Sequence, residues 1–236
     1  FQSARRGNDS VKKGPVIAID GPGGVGKSSV SKRVAEALGF KYINTGAMYR
    51  AFGLAAKASY VDFKDDLNLQ DYCRDIDINY STDTGRITID GVDYTDNIGS
   101  DRAGELASKV ATQPSVRACL SACQRMMGEE GHVVMEGRDI GTVIFPDADV
   151  KIYLDAAHEV RAERRKDELE KNGIEPSRVS DILEARDKRD ASRQAAPLKQ
   201  ADDAVHIDTS SLTLDEVVKK VVQIINERLN VGNTGR

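Results

Sequence analysis

Five short apolar runs alternate with helical patterns along the chain, at 16–19, 41–43, 132–135, 150–154 and 204–207. Runs of this length are typical of parallel strands that are buried on both faces. After the first run, Val30, Val34, Ala37 and Leu38 recur with the spacing of one helix face until Gly39 ends the pattern. The alternation predicts an α/β fold in which helices flank a five-stranded parallel sheet.

Residues 76–94 follow a different pattern. Apolar and polar residues alternate with a period of two, and glycine turns at 83–85 and 90–91 interrupt the alternation. This pattern predicts a small antiparallel meander. Because it falls between two units of the parallel sheet, residues 60–110 are expected to form an insert outside that sheet.

Two strongly charged helical stretches follow one another between 157 and 193. They are too polar for a core, so a lid is predicted, with a plain solvated helical hairpin as the alternative. We expect residues 1–13 to be a disordered tail that includes tag residues, 14–229 to be a single core with its inserts, and 230–236 to be a flexible tail.

Composition narrows the possible partners. The net charge of −4 disfavours a nucleic-acid partner, and no apolar run reaches the length of a membrane span or a secretory signal. The three cysteines contain no Cys-x-x-Cys pair, although Cys119 and Cys123 lie one helical turn apart, and the three histidines are scattered. We therefore expect a cytoplasmic protein with no membrane partner and no protein-ligated structural metal.

The first predicted strand leads into a glycine-rich loop that matches Gly-x4-Gly-Lys-[Ser/Thr] and opens a predicted helix. Backbone N–H groups of such a loop surround phosphate oxygens, and the helix N-terminus adds positive charge. Lys27 is expected beside the β- and γ-phosphates, and the Ser28 hydroxyl is expected to ligate Mg²⁺. The predicted ATP-binding residues here are Gly21, Pro22, Gly23, Gly24, Val25, Gly26, Lys27, Ser28 and Ser29.

A phosphate-binding loop alone fits kinases, motor ATPases and GTPases. The chain contains no Asn-Lys-x-Asp element for guanine, and no apolar run ends in the Asp-Glu pair of many motor ATPases. Its third predicted strand ends in Glu136-Gly137-Arg138-Asp139. Either Glu136 or Asp139 could organise Mg²⁺ through water, and the spacing leaves that choice open.

Arginines are concentrated in the second half of the chain. Arg161, Arg164 and Arg165 share one helical face, as do Arg186, Arg189 and Arg193. Such faces are often merely solvated. Transfer of a phosphoryl group between two nucleotides, however, needs cationic side chains that close over the phosphates and exclude water. A mobile, arginine-rich lid would meet both needs.

Four motifs together carry a resemblance to a known family. They are, in chain order, 19–28 (IDGPGGVGKS), 44–50 (NTGAMYR), 136–148 (EGRDIGTVIFPDA), and 186–198 with its RDKRD, Arg193 and APL segments. The sequence resembles the bacterial-type cytidylate kinases from residue 16 to about 228. The resemblance implies a P-loop nucleoside monophosphate kinase fold with a five-stranded parallel core, a lid and an enlarged monophosphate-binding insert.

The resemblance also implies roles for individual residues. It places Lys27, Arg138, Arg186 and Arg193 in catalysis, and Arg161 and Arg165 beside ATP. It implies that CMP is bound by Thr45, Arg50, Ser108, Arg117, Arg138, Asp139, Arg186, Asp190 and Arg193. Within that set, Ser108, Arg117 and Asp139 would read cytosine, whose N4 amino group suits a carboxylate acceptor, so weaker use of UMP is expected.

The predicted activity is transfer of the γ-phosphoryl group of ATP, bound with Mg²⁺, to CMP or dCMP, and we expect the enzyme to be a monomer. The nearest alternative is a P-loop kinase for another small acceptor, such as UMP, AMP or shikimate. A nucleotide-binding switch is a second alternative, although it would not need a second cluster of phosphate-binding arginines. A nucleic-acid-dependent ATPase is disfavoured by the acidity and by the absence of tryptophan.

Overall fold

The computed structural model describes residues 14–171, 179–193 and 195–233. The tail predicted at 1–13, the end of the tail predicted at 230–236 and residues 172–178 of the predicted lid lie outside the described residues. The strands are β1 (Val16–Asp20), β2 (Lys41–Asn44), β3 (Ile78–Tyr80), β4 (Ile87–Ile89), β5 (Val92–Asp93), β6 (Val133–Gly137), β7 (Val150–Asp155) and β8 (Val205–Asp208). The helices are α1 (Lys27–Leu38), α2 (Thr45–Ala58), α3 (Asp66–Asp75), α4 (Asp101–Val110), α5 (Pro114–Gly128), α6 (His158–Lys171), α7 (Val179–Ser192) and α8 (Leu214–Asn233).

The main sheet has five parallel strands in the order β2-β6-β1-β7-β8. Every residue of the central strands β1 and β6 is buried, as expected for strands covered by helices on both faces. All five predicted strands form, and the predicted fold class is confirmed. One detail was wrong: Ala37 is exposed, and Ala35 lies on the buried face of α1 instead.

The predicted meander is present as a separate sheet. Strands β3, β4 and β5 pair antiparallel, with Ile78 opposite Ile89 and Thr88 opposite Asp93. Ile87 and Ile89 are buried in a core of their own together with Phe52 of α2 and Leu69 of α3. The small sheet therefore packs on helices rather than extending the main sheet, while the boundaries at 60 and 110 stay a prediction.

The two charged helices α6 and α7 pack against each other and over the loop after β1. Each helix buries one leucine: Leu169 of α6 is fully buried and Leu183 of α7 is 5% exposed. A methyl group added to Gly23 would lie 3.2 Å from a Leu183 methyl carbon, so α7 covers the loop directly. None of the described helices combines the length and the apolar composition that crossing a membrane requires.

A π-helical turn at Ile140–Ile144 follows β6. Its N–H groups at Ile140 and Gly141 donate to the Asp20 carboxylate at 2.9 and 2.8 Å. On the other side, Arg125 of α5 donates to the carbonyl oxygens of Val143 and Ile144. These bonds fix the end of β6, where Arg138 and Asp139 leave the sheet.

Candidate active site

The glycine-rich loop connects β1 to α1 at the carboxyl end of the sheet. Gly24 and Gly26 have φ angles of 77° and 89°, a conformation that residues with a Cβ rarely adopt. Lys27 is 7% exposed, and its Nζ donates to the Pro22 carbonyl oxygen at 2.6 Å. Burial and the neighbouring Arg138 lower the pKa of Lys27 well below its usual value. A cation held in this way is stabilised when phosphate charge enters the loop.

Asp20 lies beneath this loop at the end of β1. It is 5% exposed, and burial raises its pKa to about 6 despite the two backbone N–H groups that it accepts. Lys27 lowers the pKa of Asp20. Asp20 in turn raises the pKa of Lys27, but by less than Arg138 lowers it. The Asp20 carboxylate connects the end of β1, where the loop begins, to the π-helical turn that precedes β7.

A cavity of about 560 Å³ opens above the loop, within the size range of small-molecule sites. Of the predicted site residues, it is lined by Gly23, Gly24, Val25, Gly26, Lys27, Ser28, Ser29, Arg50, Arg138, Arg165 and Arg186. Its wall also includes Glu136, Arg164 and an apolar patch of Leu212, Leu214 and Val217 beside Thr209. The cavity thus combines a phosphate-binding loop and many cations with an apolar wall.

The Asp190 carboxylate is the centre of an arginine cluster. Arg138 Nε donates to it at 3.2 Å, and nitrogens of Arg193 and Arg186 lie 3.9 and 4.0 Å from its oxygens. Burial alone would raise the pKa of Asp190, but the three arginines outweigh it and hold the pKa below its usual value. The structure therefore brings together three of the four predicted catalytic side chains around one anion.

Several donors near this cluster are buried without a hydrogen-bond partner among the described residues: Arg50 Nε, Arg186 Nε, Arg193 Nη2 and the Tyr49 hydroxyl. A buried donor without a partner costs roughly 1–3 kcal/mol. The arginines also affect one another, since burial and then Arg138 lower the pKa of Arg186 to about 9. An anion with several oxygens, such as a phosphate, would satisfy both the donors and the excess positive charge.

The three predicted cytosine-reading residues are all buried, and two of them are directly paired. Arg117 of α5 donates from Nη2 to the Asp139 carboxylate, and the guanidinium lies 5.8 Å from the centroid of the Tyr49 ring. Ser108 of α4 is 3% exposed, and its hydroxyl accepts from Arg189 Nε at 2.9 Å. Burial raises the pKa of Asp139, and Arg117 opposes that rise.

A hydrogen-bonded group connects the glycine-rich loop to β6. The Tyr42 hydroxyl donates to Glu136 Oε1 at 2.5 Å, and Ser28 is hydrogen bonded to Tyr42. Burial and Glu136 raise the pKa of Tyr42. The Thr45 hydroxyl donates to the backbone carbonyl oxygen of Glu136 at 2.7 Å, and Glu136 also lines the cavity.

The three arginines of α6 have different surroundings, although they share a helix face. Arg161 is 9% exposed and donates to the carbonyl oxygens of Gly23 and Ala156 and to Asp187, so it supports the loop from outside the cavity lining. Arg164 donates to the hydroxyl and carbonyl oxygens of Thr209. Arg165 donates to Asp101 of α4 at 2.6 Å.

Some residues that build the site were not identified from the sequence. Tyr42, which donates to Glu136, and Asp20, which accepts from the π-helical turn, make these contacts with residues distant along the chain. Arg189 was predicted to share a helix face with Arg186 and Arg193, but its hydrogen bond to Ser108 was not predicted. The apolar wall after β8 was also missed, because its residues look like an ordinary helix start. The described residues contain no group of three or more histidine, cysteine, aspartate or glutamate side chains arranged to hold a metal ion.

Comparison with known proteins decides the family. A family model for cytidylate kinase matches residues 17–227. The chain belongs to the cytidylate kinase family. Relatives include the cytidylate kinase of Syntrophotalea carbinolica, 44% identical over 220 residues and covering 92% of this chain and 94% of that protein. The cytidylate kinase of Geobacillus kaustophilus is 45% identical over 224 residues, covering 93% of this chain and 100% of that protein.

Membership in the cytidylate kinase family confirms the family predicted from the four motifs. The chain is accordingly a nucleoside monophosphate kinase, a transferase, as expected. Among solved structures, a gluconokinase from Sinorhizobium meliloti 1021 superposes with a TM-score of 0.51 at 14% identity, covering 95% of this chain and 99% of that one. At that identity the likeness shows a shared fold only.

Proposed function

We propose that this member of the cytidylate kinase family transfers the γ-phosphoryl group of ATP to CMP or dCMP, giving ADP and CDP or dCDP. The observation that carries the proposal is the arginine cluster around Asp190, because two of its members, Arg138 and Arg186, line the same cavity as the glycine-rich loop. A nucleotide-binding switch would need only the loop. Two phosphate-binding groups that face one cavity are what transfer between two nucleotides requires.

On the donor side, the triphosphate would lie along residues 23–29, with the Lys27 ammonium turning from the Pro22 carbonyl oxygen to the phosphates. The apolar wall of Leu212, Leu214 and Val217 would then receive the donor base. Arg161 would act through the loop, because it donates to the Gly23 carbonyl oxygen. Arg165 would have to leave Asp101 before it could reach a phosphate.

Mg²⁺ is expected to enter with ATP, and the oxygen donors that it prefers are present. The Ser28 hydroxyl and the Glu136 carboxylate both line the cavity, and Tyr42 hydrogen bonds to both. The pairing of Asp139 with Arg117 favours Glu136 as the carboxylate that faces the metal. When bound, the ion would neutralise charge on the β- and γ-phosphates.

On the acceptor side, Arg50, Arg186 and Arg193 would bind the phosphate of CMP through donors that lack protein partners, and Arg138 would turn to it from Asp190. As the arginines turn from Asp190 to the phosphate of CMP, the Asp190 carboxylate would accept hydrogen bonds from the hydroxyl groups of the CMP sugar. Asp139 keeps one oxygen for the cytosine N4 amino group while its other oxygen accepts from Arg117. Uracil presents a carbonyl oxygen at the same position, so a carboxylate disfavours it.

The acceptor phosphate is itself the nucleophile, so the reaction needs no general base. Its oxygen is anionic near neutral pH and would attack the γ-phosphorus in line with the leaving ADP oxygen. Lys27, Arg138, Arg186 and Arg193 would stabilise the charge of the transferred group. Closure of α6 and α7 over the loop would exclude water, which otherwise competes as acceptor.

The proposal is tested by measuring ADP release with CMP, dCMP, UMP, AMP and shikimate at equal concentrations. We expect kcat/KM to be highest for the two cytidine nucleotides. A higher kcat/KM for AMP or shikimate would refute the cytosine assignment but would still be compatible with a P-loop kinase.

We also propose that the enzyme is a monomer, because the glycine-rich loop and the arginine cluster come from one chain. Analytical sedimentation at the protein concentration of the assay would detect a dimer.

A further inference from the structure

All three cysteines of the chain meet between two helices, although Cys73 is 46 residues from Cys119. Cys73 is in the last turn of α3, and Cys119 and Cys123 are on consecutive turns of α5. Cys119 Sγ lies 3.9 Å from the Cys73 carbonyl oxygen. The thiol of Cys119 also shifts the pKa of both other cysteines, as expected of neighbouring thiols, and none of the three forms a disulfide.

The three thiols differ in pKa. The hydrogen bond from Cys119 lowers the pKa of Cys73, by more than burial and Asp66 raise it. By contrast, the pKa of Cys119 is raised to about 11, by its contact with Cys73 and by burial, even though Cys123 opposes the shift. Thiolate is the form that reacts with oxidants, so Cys73 is the most reactive of the three. All three are partly exposed, within reach of a small oxidant.

We propose that Cys73 and Cys119 form a peroxide-sensitive thiol pair that closes into a disulfide between α3 and α5. The Cys73 thiolate attacks one oxygen of hydrogen peroxide, the O–O bond breaks, and after proton uptake Cys73 is a sulfenic acid and water has left. The Cys119 sulfur then attacks the Cys73 sulfur, the S–O bond breaks, and a second water leaves with the Cys119 proton. The net reaction oxidises two thiols by two electrons and reduces one peroxide to two waters.

The alternative pair, Cys119 with Cys123, has an unfavourable geometry. Residues four apart on a helix have Cβ atoms about 5–6 Å apart, whereas a disulfide needs about 3.5–4.5 Å. That bond would require unwinding of α5, within a helix that runs unbroken from Pro114 to Gly128. Cys123 also packs in the apolar core of the insert, as does Cys73 from the other helix.

The cross-link would act on the acceptor side of the molecule. Arg117 precedes Cys119 by two residues on α5 and pairs with Asp139. Tying α5 to the end of α3 would therefore restrain the helix that holds this pair. The chemistry of the thiols is independent of the proposed kinase activity, so it is tested by counting free thiols and measuring peptide masses rather than turnover.

The experiment treats the full chain with hydrogen peroxide and maps disulfides by mass spectrometry after alkylation and proteolysis. We expect a loss of two free thiols and a cross-link between the peptides that contain Cys73 and Cys119. Cys123→Ser is the matched control and should form the same cross-link at the same rate. Cys119→Ser removes the second thiol, so Cys73 should instead accumulate sulfenic acid, which dimedone labels.

Three results would overturn the proposal. One is a Cys119–Cys123 bond in the wild-type chain. Another is equal dimedone labelling of Cys73 and Cys123 in Cys119→Ser. The third is retention of all three thiols under peroxide that oxidises a free low-molecular-weight thiol completely. Circular dichroism of each variant checks that the fold is intact, and the Cys123→Ser control separates a local effect from general loss of packing.

Discussion

Asp139→Asn is expected to change both stability and substrate choice, because the carboxylate has two partners in the proposed complex. In the structure it is paired with Arg117, and the two side chains are 8% and 7% exposed. The amide keeps the shape and one acceptor oxygen but removes the negative charge opposite a buried guanidinium. Removal of one partner from a buried pair costs about 3–5 kcal/mol. We expect a loss of unfolding free energy near the lower end of that range, since the amide oxygen can still accept a hydrogen bond from Arg117.

The effect on specificity follows from the polarity of the base edge. A carboxylate can only accept, which suits the cytosine amino group, whereas an amide can also donate to the uracil carbonyl oxygen. A base-reading contact of this kind is worth about 1–3 kcal/mol of discrimination. The ratio of kcat/KM for CMP over UMP should therefore fall roughly ten- to hundredfold.

Two measurements separate structural from functional effects. Urea denaturation gives the free energy of unfolding, and coupled ADP release gives kcat/KM for both acceptors. Asp215→Asn is the matched control, because Asp215 pairs with Arg33 at the surface, where the side chains are 80% and 45% exposed. We expect this variant to lose less than about 1 kcal/mol of unfolding free energy and to keep the CMP-to-UMP ratio of kcat/KM unchanged. A destabilised Asp139→Asn enzyme with an unchanged CMP-to-UMP ratio would refute the cytosine-reading role.

Three further predictions concern the loop. Lys27→Met should lower kcat by about a thousandfold or more with the fold intact by circular dichroism, and retention of most of the ADP release would refute its role. Asp20 has a pKa of about 6 against 3.8 in the unfolded chain, so its contribution to stability is greatest below pH 4 and about 3 kcal/mol of it is lost as the pH rises through 6. The unfolding free energy of Asp20→Asn relative to wild type should rise by that amount from pH 3 to 7, and an equal pH dependence of the two proteins would contradict the assignment. Tyr42→Phe should weaken Mn²⁺ binding to the ATP complex, measured by electron paramagnetic resonance, about tenfold, whereas Tyr72→Phe should not change it; equal binding would show that the Tyr42 hydroxyl does not position Glu136.

The sequence allowed prediction of several elements whose information is local. The parallel strands, the glycine-rich loop and the meander are each specified by consecutive residues, and the structure contains all of them. The resemblance added the acceptor residues, of which Arg138, Arg186 and Arg193 meet at Asp190. That meeting depends on spatial proximity across 52 residues between Arg138 and Asp190, which helix spacing cannot show.

Predictions from helix spacing alone were less informative about individual arginines. Arg161, Arg164 and Arg165 share a face, yet one supports the loop, one binds Thr209 and one pairs with Asp101. The difference comes from which segments lie opposite each turn of α6. In the same way, the π-helical turn after β6 could not be foreseen, because Asp20, 120 residues away, caps it.

The acidic side chains that accompany these arginines affect how fast ligands come and go. Asp190 and Asp101 each pair with a guanidinium that the proposed reaction needs elsewhere. A phosphate that binds these guanidinium groups replaces an aspartate, and that aspartate can return when the product leaves. Part of binding is then an exchange of one counter-ion for another, which returns less free energy than pairing with a free cation would. Such an exchange favours rapid turnover over tight retention of either diphosphate.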